Sequence, residues 1–325
     1  MRSGAAGVRL QLGIGDDAAI LGLQGRTDLV LTCDAFLEGS HFLADVHPAD
    51  SVGYKALARA TSDLAGMGAV PRVFLLTLAL PAIRTGAWLD GFLRGMGRAA
   101  RETGLQLAGG DTSKAKTVSI VITVVGELIP GQVVLRSGAQ PRDTIYVSGR
   151  LGRAQLGLEL VRNGLMSRTR TGRVEREALQ HHLYPRTQIA LGEWLARHRI
   201  ASAMMDISDG LSTDLNRLCA ASRVGARIWA ERVPCVEIPQ GPRGLRQFKL
   251  EPLKMALDGG DDYELLFTVP RRREHQLKTA PGYKNLRAIG EITSGKRVEL
   301  VGVDGRIEPL APGGWDPFRK SSSQR

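Results

Sequence analysis

The sequence predicts an α/β (α+β) protein made of two domains, each with a sheet and packed helices. At 325 residues the chain is long enough to bury two separate cores. Apolar, strand-like runs alternate with helical patterns in both halves. A polar stretch with proline and glycine, residues 130–143, separates the halves. We therefore expect an N-terminal domain over residues 1–135 and a C-terminal domain over 136–325.

In the first half, short apolar runs predict strands over 28–32, 73–80, 105–108 and 118–125. Apolar side chains at helical spacing predict helices that run from 50 or 51 to 64 and from 88 to 101. The first helix would carry Asp63 in its last turn, where the helix dipole disfavours a carboxylate. We therefore expect Asp63 to have a cationic partner or a metal ion.

The second half repeats this alternation. A strand over 144–148 opens it, and later strands are predicted over 265–269, 286–292 and 298–301. Helices are predicted over 151–162, over 187–199 and directly after Gly210. The segment 167–177 is rich in arginine and threonine and is predicted to be an exposed loop.

Composition excludes several classes of protein. The hydrophobic fraction of 43% is typical of a globular chain, and no apolar run has the length of a membrane span or a signal peptide, so we expect a cytoplasmic protein. Three cysteines without metal-type spacing argue against a disulfide framework and a zinc site. The net charge of +11 comes from arginine runs without interleaved aromatic residues, which favours solvated surfaces over nucleic-acid binding.

Small residues next to aspartate recur along the chain, mostly where a strand-like run meets a turn or a helix. They occur in residues 13–19, 32–34, 62–63, 109–112, 206–210 and 259–262. Carboxylates that share a cavity raise each other's pKa, and Mg²⁺ relieves that repulsion by taking oxygen ligands together with substrate phosphates. The turns at 109–111 and 208–210 also offer backbone N–H groups to an anion. Together they predict a Mg²⁺–nucleotide site, whereas any one of these aspartates alone is more typical of a turn or helix cap.

The usual nucleotide-binding motifs are missing. There is no Walker A sequence, no protein-kinase motif set and no Gly-x-Gly-x-x-Gly after a strand. No Gly-x-Ser-x-Gly is present either, so a serine triad is not supported.

The acidic motifs, taken in order, resemble the thiamine-monophosphate kinase family. The similar runs extend from about residue 13 to 315 and are 13–19, 34–42, 53–69, 109–112, 136–139, 206–211 and 259–265. The resemblance implies the fold of the aminoimidazole ribonucleotide synthetase superfamily, with two α/β domains and a homodimer formed by the N-terminal domains. It also implies ATP-dependent phosphorylation of thiamine monophosphate to thiamine diphosphate, with several Mg²⁺ ions and ATP as co-substrate.

The resemblance also implies roles for individual residues. Those expected to contact Mg²⁺ are Asp17, Thr32, Cys33, Asp34, Asp63, Asp111, Asp206 and Asp209. Those expected to contact ATP are Gly110, Asp111, Arg136 and Ser208. Those expected to contact thiamine monophosphate are His41, Asp261 and Trp315. From the residues alone, His41 could equally cap a loop and Trp315 could equally pack in the core.

Two positions depart from the family's pattern. Cys33 stands where a hydroxyl residue is common, and Asp261 replaces a more usual glutamate. The N-terminal segment before residue 13 is also shorter than is usual in the family. We expect Asp261→Glu to be tolerated if that side chain contacts only the substrate, and Asp34→Ala or Asp111→Ala to abolish turnover.

Other functions remain open from the sequence. Selenophosphate synthetase and the hydrogenase maturation member of the superfamily depend on a reactive cysteine near a terminus, which this chain lacks. Aminoimidazole ribonucleotide synthetase is disfavoured by His41 and by residues 259–265. A non-catalytic nucleotide- or RNA-binding protein would suit the charge of +11 but would not explain the acidic motifs.

Overall fold

Two sheets, one in each half of the chain, form the framework. The computed structural model describes residues 8–23, 27–166, 172–238 and 250–318. The first sheet has the order β1-β2-β3-β6-β4-β5. Its strands are β1 (Val8–Leu12), β2 (Ala19–Leu23), β3 (Asp28–Leu37), β4 (Val70–Leu80), β5 (Gln106–Lys114) and β6 (Ser119–Leu128).

The second sheet has the order β13-β12-β9-β11-β7-β10-β8. Its strands are β7 (Thr144–Val147), β8 (Ala203–Ile207), β9 (Gly225–Trp229), β10 (Glu264–Val269), β11 (Arg287–Thr293), β12 (Val298–Val301) and β13 (Ile307–Pro309). Most neighbouring strands in both sheets are antiparallel; the parallel pairs are β4 with β5 and β9 with β12. The α/β (α+β) class predicted from the sequence is confirmed.

Helices cover the sheets and separate them. They are α1 (Ala49–Met67), α2 (Ala87–Thr103), α3 (Arg153–Arg162), α4 (Arg173–Leu183), α5 (Ile189–Arg197), α6 (Leu211–Ser222) and α7 (Pro252–Asp258). The predicted exposed loop over 167–177 is wrong in its second part, because α4 begins at Arg173. Its first part, residues 167–171, lies outside the described residues.

Helix α1 is the element on which both domains pack. It contacts β3, β4 and β6 of the first sheet, and also α4, α5, β8 and β10 of the second half. Apolar and small side chains therefore occupy almost its whole circumference, and Leu57, Ala60 and Leu64 are fully buried. Polar residues on such a helix are buried as well, since no face of α1 is left to solvent. This explains how Lys55 and Asp63 come to lie inside the molecule.

Two strands are longer than the sequence predicts, and this changes where two motifs lie. Strand β3 continues past residue 32 to Leu37, so Cys33 and Asp34 lie within the strand and project from opposite faces. Strand β5 continues to Lys114, so Gly110 and Asp111 lie within an edge strand and not in a turn after one. Backbone pairing with β4 and β6 overrides the local turn signal of the glycines and the aspartates.

Among the residues that the structure describes, no helix covers one face of the first sheet. Helices α1 and α2 pack on the side where Val30, Phe36 and Ile122 are buried. The other side presents Cys33, Leu75 and apolar neighbours, and all nine residues of β5 are exposed.

Residues 129–143 connect the two sheets, from the end of β6 to the start of β7. The boundary predicted at residue 135 falls inside this connection. Over the residues described, no helix combines the length and the apolar character needed to cross a membrane.

Candidate active site

A cavity of about 520 Å³ lies between the two domains, beside α1. Eight of the residues predicted to form the site line it: Asp34, His41, Asp63, Asp206, Ser208, Asp209, Asp261 and Trp315. They come from β3, α1 and β8 and from four loops, so positions spread over nearly 300 residues of sequence meet around one space. One end of the cavity carries mainly carboxylates, which we call the acidic end. We call the other end, around Asp261 and Trp315, the acceptor end.

The acidic end is built from buried carboxylates that repel one another. Asp206 is the fourth residue of β8 and only 2% exposed, and burial raises its pKa to about 6. Burial, together with the charges of Asp206, Asp34 and Asp17, also raises the pKa of Asp63 well above its usual range. The ionised form of both groups is therefore destabilised, because desolvation and like charge favour the protonated form.

Asp17 joins this end from the loop before β2. Its Oδ1 accepts hydrogen bonds from the Arg136 guanidinium, including one from Nε at 2.8 Å. Burial and the charge of Asp206 nevertheless raise the pKa of Asp17 well above its usual range. The carboxylate also lies against Gly66 of α1, where a Cβ would come within 2.2 Å of Asp17 Oδ2. Only glycine allows so close an approach to the helix.

Two carboxylate oxygens at this end have no hydrogen-bond partner in the described part of the chain. They are Oδ2 of Asp17 and Oδ2 of Asp206, both inaccessible to solvent. Buried acceptors left unpaired are costly, and hard oxygen donors of this kind suit Mg²⁺. Within the described ranges no three histidine, cysteine or acidic side chains already form a closed metal-binding group. The donor set therefore fits Mg²⁺ in its chemistry, with substrate oxygens left to complete the coordination.

Hydroxyl and cationic groups hold two of the acids in place. Thr32 Oγ1 donates a hydrogen bond to Asp63 Oδ2 at 2.5 Å. Arg59 Nε donates to Asp34 Oδ2 at 3.1 Å, and its guanidinium lies 5.3 Å from the centre of the Phe36 ring. Asp34 therefore reaches the cavity with a counter-charge already beside it.

The turn after β8 is fixed from below by a buried acid. Asp214 is fully buried in the first turn of α6 and accepts hydrogen bonds from the backbone N–H groups of Ser208 and Asp209, each at 3.1 Å. Arg217 Nη1 contacts both carboxylates, at 2.5 Å from Asp209 and 3.0 Å from Asp214. The turn thus has a defined shape before any ligand arrives.

The acceptor end carries a carboxylate whose pKa is lowered and not raised. Asp261 Oδ2 accepts a hydrogen bond from Lys55 Nζ at 2.7 Å, and Oδ1 accepts one from the Tyr263 hydroxyl at 2.7 Å. Burial opposes ionisation, but the Lys55 ammonium and the Arg59 guanidinium outweigh it and hold the pKa of Asp261 well below its usual range. Asp261 and Tyr263 both have left-handed backbone, with φ of 67° and 49°. Such conformations are uncommon for residues other than glycine and are frequent at binding sites.

Two rings complete the acceptor end. The rings of His41 and Trp315 lie with their centroids 6.4 Å apart, and the Trp315 side chain is 45% exposed. His41 Nδ1 accepts a hydrogen bond from the Leu37 N–H at 3.0 Å, so the ring is oriented by the end of β3. The backbone N–H of Trp315 donates to the backbone oxygen of Asp209 at 2.9 Å and joins the C-terminal segment to the turn after β8. Trp315 is therefore not a core residue but a ring that faces the cavity.

Three predicted residues are not brought to this cavity by the chain itself. Cys33 projects from the opposite face of β3, where its Sγ accepts a hydrogen bond from Thr123 Oγ1 at 3.4 Å. Across the sheet, Asp111 pairs with Thr77, Thr77 with Val121, and Val121 with Ala35. Paired residues point to the same face, so the Asp111 side chain shares the face of Ala35 and Cys33 and not that of Asp34. Gly110 lies beside it, and three strand spacings separate β5 from β3, about 14 Å. The Cys33 thiol thus points away from the acidic end of the cavity in its own chain.

Comparison with known proteins shows the family to which both domains belong. Residues 15–128 match the family AIR synthase related protein, N-terminal domain, and residues 140–303 match the corresponding C-terminal domain family. The thiamine-monophosphate kinase of Salmonella typhimurium is 38% identical over 274 residues, which is 84% of this chain and 81% of that protein. The Escherichia coli K12 enzyme of the same name is 36% identical over 95% of this chain and 92% of its own length.

The chain belongs to the thiamine-monophosphate kinase family. A solved structure described as AaThiL complexed with AMPPCP and TMP superposes with a TM-score of 0.80 at 32% identity, over 93% of this chain and 91% of that one. The resemblance drawn from the acidic motifs is thereby confirmed.

Within this member of the family, sequence reasoning missed several residues that shape the cavity. Lys55, Arg59, His182 and Tyr263 line it or support it, and none was assigned a role. Lys55 gave a usable signal, because it is a lysine among apolar residues on a helix with no polar face. His182 gave none, since α4 approaches α1 only in the folded chain.

Proposed function

We propose that this protein transfers the γ-phosphoryl group of ATP to the phosphate of thiamine monophosphate, producing ADP and thiamine diphosphate. The observation that carries the proposal is the cavity between the domains, with unpaired buried carboxylates at one end and two rings with a paired carboxylate at the other. A nucleotide with its metal suits the first end, and a cationic heterocycle suits the second. The thiamine-monophosphate kinases among its relatives and the ATP analogue in the superposed structure support the same reaction.

The acids of the acidic end would hold the metal. Asp17, Asp34, Asp63, Asp206 and Asp209 offer carboxylate oxygens, and those of Asp17 and Asp206 include the two unpaired atoms. When bound, Mg²⁺ supplies positive charge that offsets the repulsion between the polyphosphate of ATP and the acceptor phosphate. Thr32 supports Asp63 and is in place to act through it or to bind directly.

The remaining groups would bind and orient the two substrates. Arg136 and the Ser208 side chain would bind phosphate oxygens. The backbone N–H groups of Ser208 and Asp209 already donate to Asp214, so they fix the shape of the turn instead of being open to an anion. Trp315 and His41 would contact the rings of thiamine monophosphate, and Asp261 would contact its cationic or amino-bearing part. The acceptor is a phosphate monoester that is already ionised near neutral pH, so no general base is needed and alignment is the main task.

The direct test is an assay of the purified protein with ATP, Mg²⁺ and thiamine monophosphate that follows both products. We expect ADP and thiamine diphosphate in a one-to-one ratio, and loss of both when the metal is chelated. ADP without thiamine diphosphate would contradict the assigned acceptor while leaving the nucleotide site. Thiamine and nucleoside monophosphates serve as control acceptors and should be inactive.

We further propose that the protein is a homodimer formed through the uncovered face of the first sheet. That face is apolar around Leu75, which is 44% exposed, and it includes the edge strand β5. Gly110 and Asp111 would then contact nucleotide or metal across the interface, and not within one chain.

Mixing two inactive variants tests this arrangement. Asp111→Ala and Asp206→Asn would each lack activity alone, yet mixed dimers would contain one intact site if Asp111 acts across the interface. An equal mixture should then recover about a quarter of the wild-type rate. A monomer in light-scattering measurements, or no recovery in a mixture shown to exchange subunits, would contradict the proposal.

A further inference from the structure

A chain of buried polar groups runs behind the acceptor end and joins the two domains. Lys55 Nζ lies 2.7 Å from Asp261 and 3.4 Å from His182 Nδ1. His182 Nε2 lies 3.3 Å from His47 Nε2. The side chain of Lys55 is 4% exposed, and His182 and His47 are 2% and 8% exposed as residues. Buried polar groups are costly unless they are hydrogen-bonded, so these side chains must satisfy one another's hydrogen-bonding groups.

The direction of the hydrogen bonds follows from the charge on Lys55. An ammonium group can only donate, so His182 Nδ1 must present its lone pair and carry its proton on Nε2. That N–H then donates to His47 Nε2, which leaves the proton of His47 on Nδ1, 3.2 Å from Leu43 O. With the opposite tautomers, His47 Nδ1 would accept the hydrogen bond from the Leu43 N–H. However, the N–H of His182 would then point at the Lys55 ammonium, so that two donors would face each other. Both rings must also be neutral, and burial lowers the pKa of each accordingly.

The backbone fixes the two ends of this chain. Helices α3 and α4 cross so closely that a Cβ on Gly157 would lie 2.5 Å from His182 Cβ. At the other end the Asp261 N–H donates to Ser208 O at 2.8 Å, which connects the acceptor end to the turn after β8. Neither His182 nor Asp261 can shift without disturbing an adjacent element.

We propose that His182, supported by His47, is a positioning residue that holds Lys55 against Asp261 and so sets the orientation of the Asp261 carboxylate toward the organic part of the acceptor. This inference rests on the proposed function. It deepens that function by assigning recognition of the acceptor to a relay in which His182, at the cavity wall, holds Lys55 and is itself held by His47. His182 would act through Lys55, and its loss would weaken binding of the acceptor without altering the nucleotide end.

The test compares His182→Leu, which removes both hydrogen bonds, with His182→Asn, whose side-chain oxygen can still accept from Lys55. We expect His182→Leu to raise the KM for thiamine monophosphate about tenfold, while kcat and the KM for ATP stay within about twofold. His182→Asn should restore most of the lost affinity. The matched control is His181→Leu on the same helix, because His181 contacts Arg153 and not the relay. His47→Leu should give a smaller change of the same kind.

A spectroscopic measurement reads the relay without turnover. In protein labelled with ¹⁵N at its six histidines, His182 should appear at pH 7 as the neutral tautomer protonated on Nε2, and His47 as the one protonated on Nδ1. An imidazolium, or the opposite tautomer of His182, would overturn the inference. An equal rise of both KM values, or a loss in kcat alone, would overturn it as well.

The two proposals fail in different ways. If the wild-type protein converts thiamine monophosphate, the proposed function stands and the pattern of KM values decides this inference alone. If the wild-type protein makes ADP but no thiamine diphosphate, both are overturned. Should His182→Leu not fold by circular dichroism, His182→Asn and His47→Leu decide the question.

Discussion

The two ends of the cavity treat the same residue type in opposite ways. Asp206 at the acidic end and Asp261 at the acceptor end are both aspartates that line one space. Burial raises the pKa of Asp206 to about 6, and one of its oxygens has no partner. Asp261 is less buried, with 33% of its side chain exposed. Burial still opposes its ionisation, but Lys55 and Arg59 outweigh that and hold its pKa well below the usual range.

The difference shows what each end still needs. A cation would complete the acidic end, because its carboxylates repel one another and two of their oxygens are unpaired among the described residues. The acceptor end already contains its counter-charge and is therefore preorganised. A metal-bound nucleotide would thus relieve repulsion at one end, whereas the acceptor would meet a carboxylate whose position is set in advance.

The strongest test of this contrast is Asp206→Asn. The amide keeps the shape of the side chain but removes the charge, so we expect kcat to fall at least about a thousandfold, a loss of roughly 4 kcal/mol of transition-state stabilisation. Without metal, the same change should raise the melting temperature at pH 8, because it removes repulsion from a buried cluster. Steady-state kinetics and calorimetry measure the two effects.

The interpretation requires that Asp206→Asn lowers kcat but raises the melting temperature. A variant that loses activity and stability together would indicate that Asp206 is a structural residue. Asp143→Asn is a suitable control, because Asp143 is buried but bonded to Ser202 and Gln140 away from the cavity. It should lower stability and leave kcat unchanged.

Asp261→Asn probes the acceptor end and should lower stability, whereas Asp206→Asn should raise it. Removing the counter-charge leaves Lys55 buried and uncompensated, which costs about 3–5 kcal/mol for fully buried pairs. The side chain of Asp261 is 33% exposed, so we expect roughly 2–3 kcal/mol here. Urea denaturation should show this loss at every metal concentration. A variant as stable as wild type would mean that Lys55 is satisfied by His182 or is neutral.

Much of the fold could be predicted because the apolar periodicity is clear. The strand over 298–301 and the helices on either side of β4 lie close to their predicted positions. The strand ends in β3 and β5 could not be predicted, because glycines and aspartates at 33–34 and 109–111 carry a local turn signal. Cross-strand pairing overrides that signal, and a single sequence does not reveal it.

The candidate site was predictable where acids follow buried strands or lie on α1. Asp63 and Asp206 could be grouped because several carboxylates in one cavity need a cation. The faces of residues were not predictable without the register, which puts Cys33 and Asp111 on the far side of the sheet. The relay of Lys55 and His182 joins residues 127 positions apart and has no local signature.

The pH dependence of stability separates the two ends further. A raised pKa means that the native state binds the proton of Asp206 more tightly than the unfolded chain, so its stabilising contribution is lost as pH rises from about 4 through about 6. His182 and His47 act in the opposite direction, because their lowered pKa values make stability fall as pH drops below about 6.5. The informative quantity is therefore the difference between wild type and Asp206→Asn.

In chelator, the melting temperature of Asp206→Asn should rise relative to wild type between pH 5 and pH 8, by about 2–4 °C for each kcal/mol of repulsion removed. Mg²⁺ with an ATP analogue should cancel this difference at pH 8 by stabilising only the wild type. A difference that does not change with pH would show that Asp206 is ionised and satisfied in the free protein.

The smallest effect is expected for Asp261→Glu. Tolerance was expected if the side chain contacts only the substrate, but it also pairs with Lys55 and Tyr263. The backbone at this position has φ of 67°, a conformation in which aspartate is more common than glutamate. We therefore expect a loss of about 1 kcal/mol in stability and a KM for thiamine monophosphate that rises by about threefold or less, with kcat unchanged. The charge is kept, so Lys55 stays paired, and the cost comes from backbone conformation and reach alone. If Asp261→Glu were as damaging as Asp261→Asn, the orientation of the carboxylate, and not its charge, would be what the acceptor end requires.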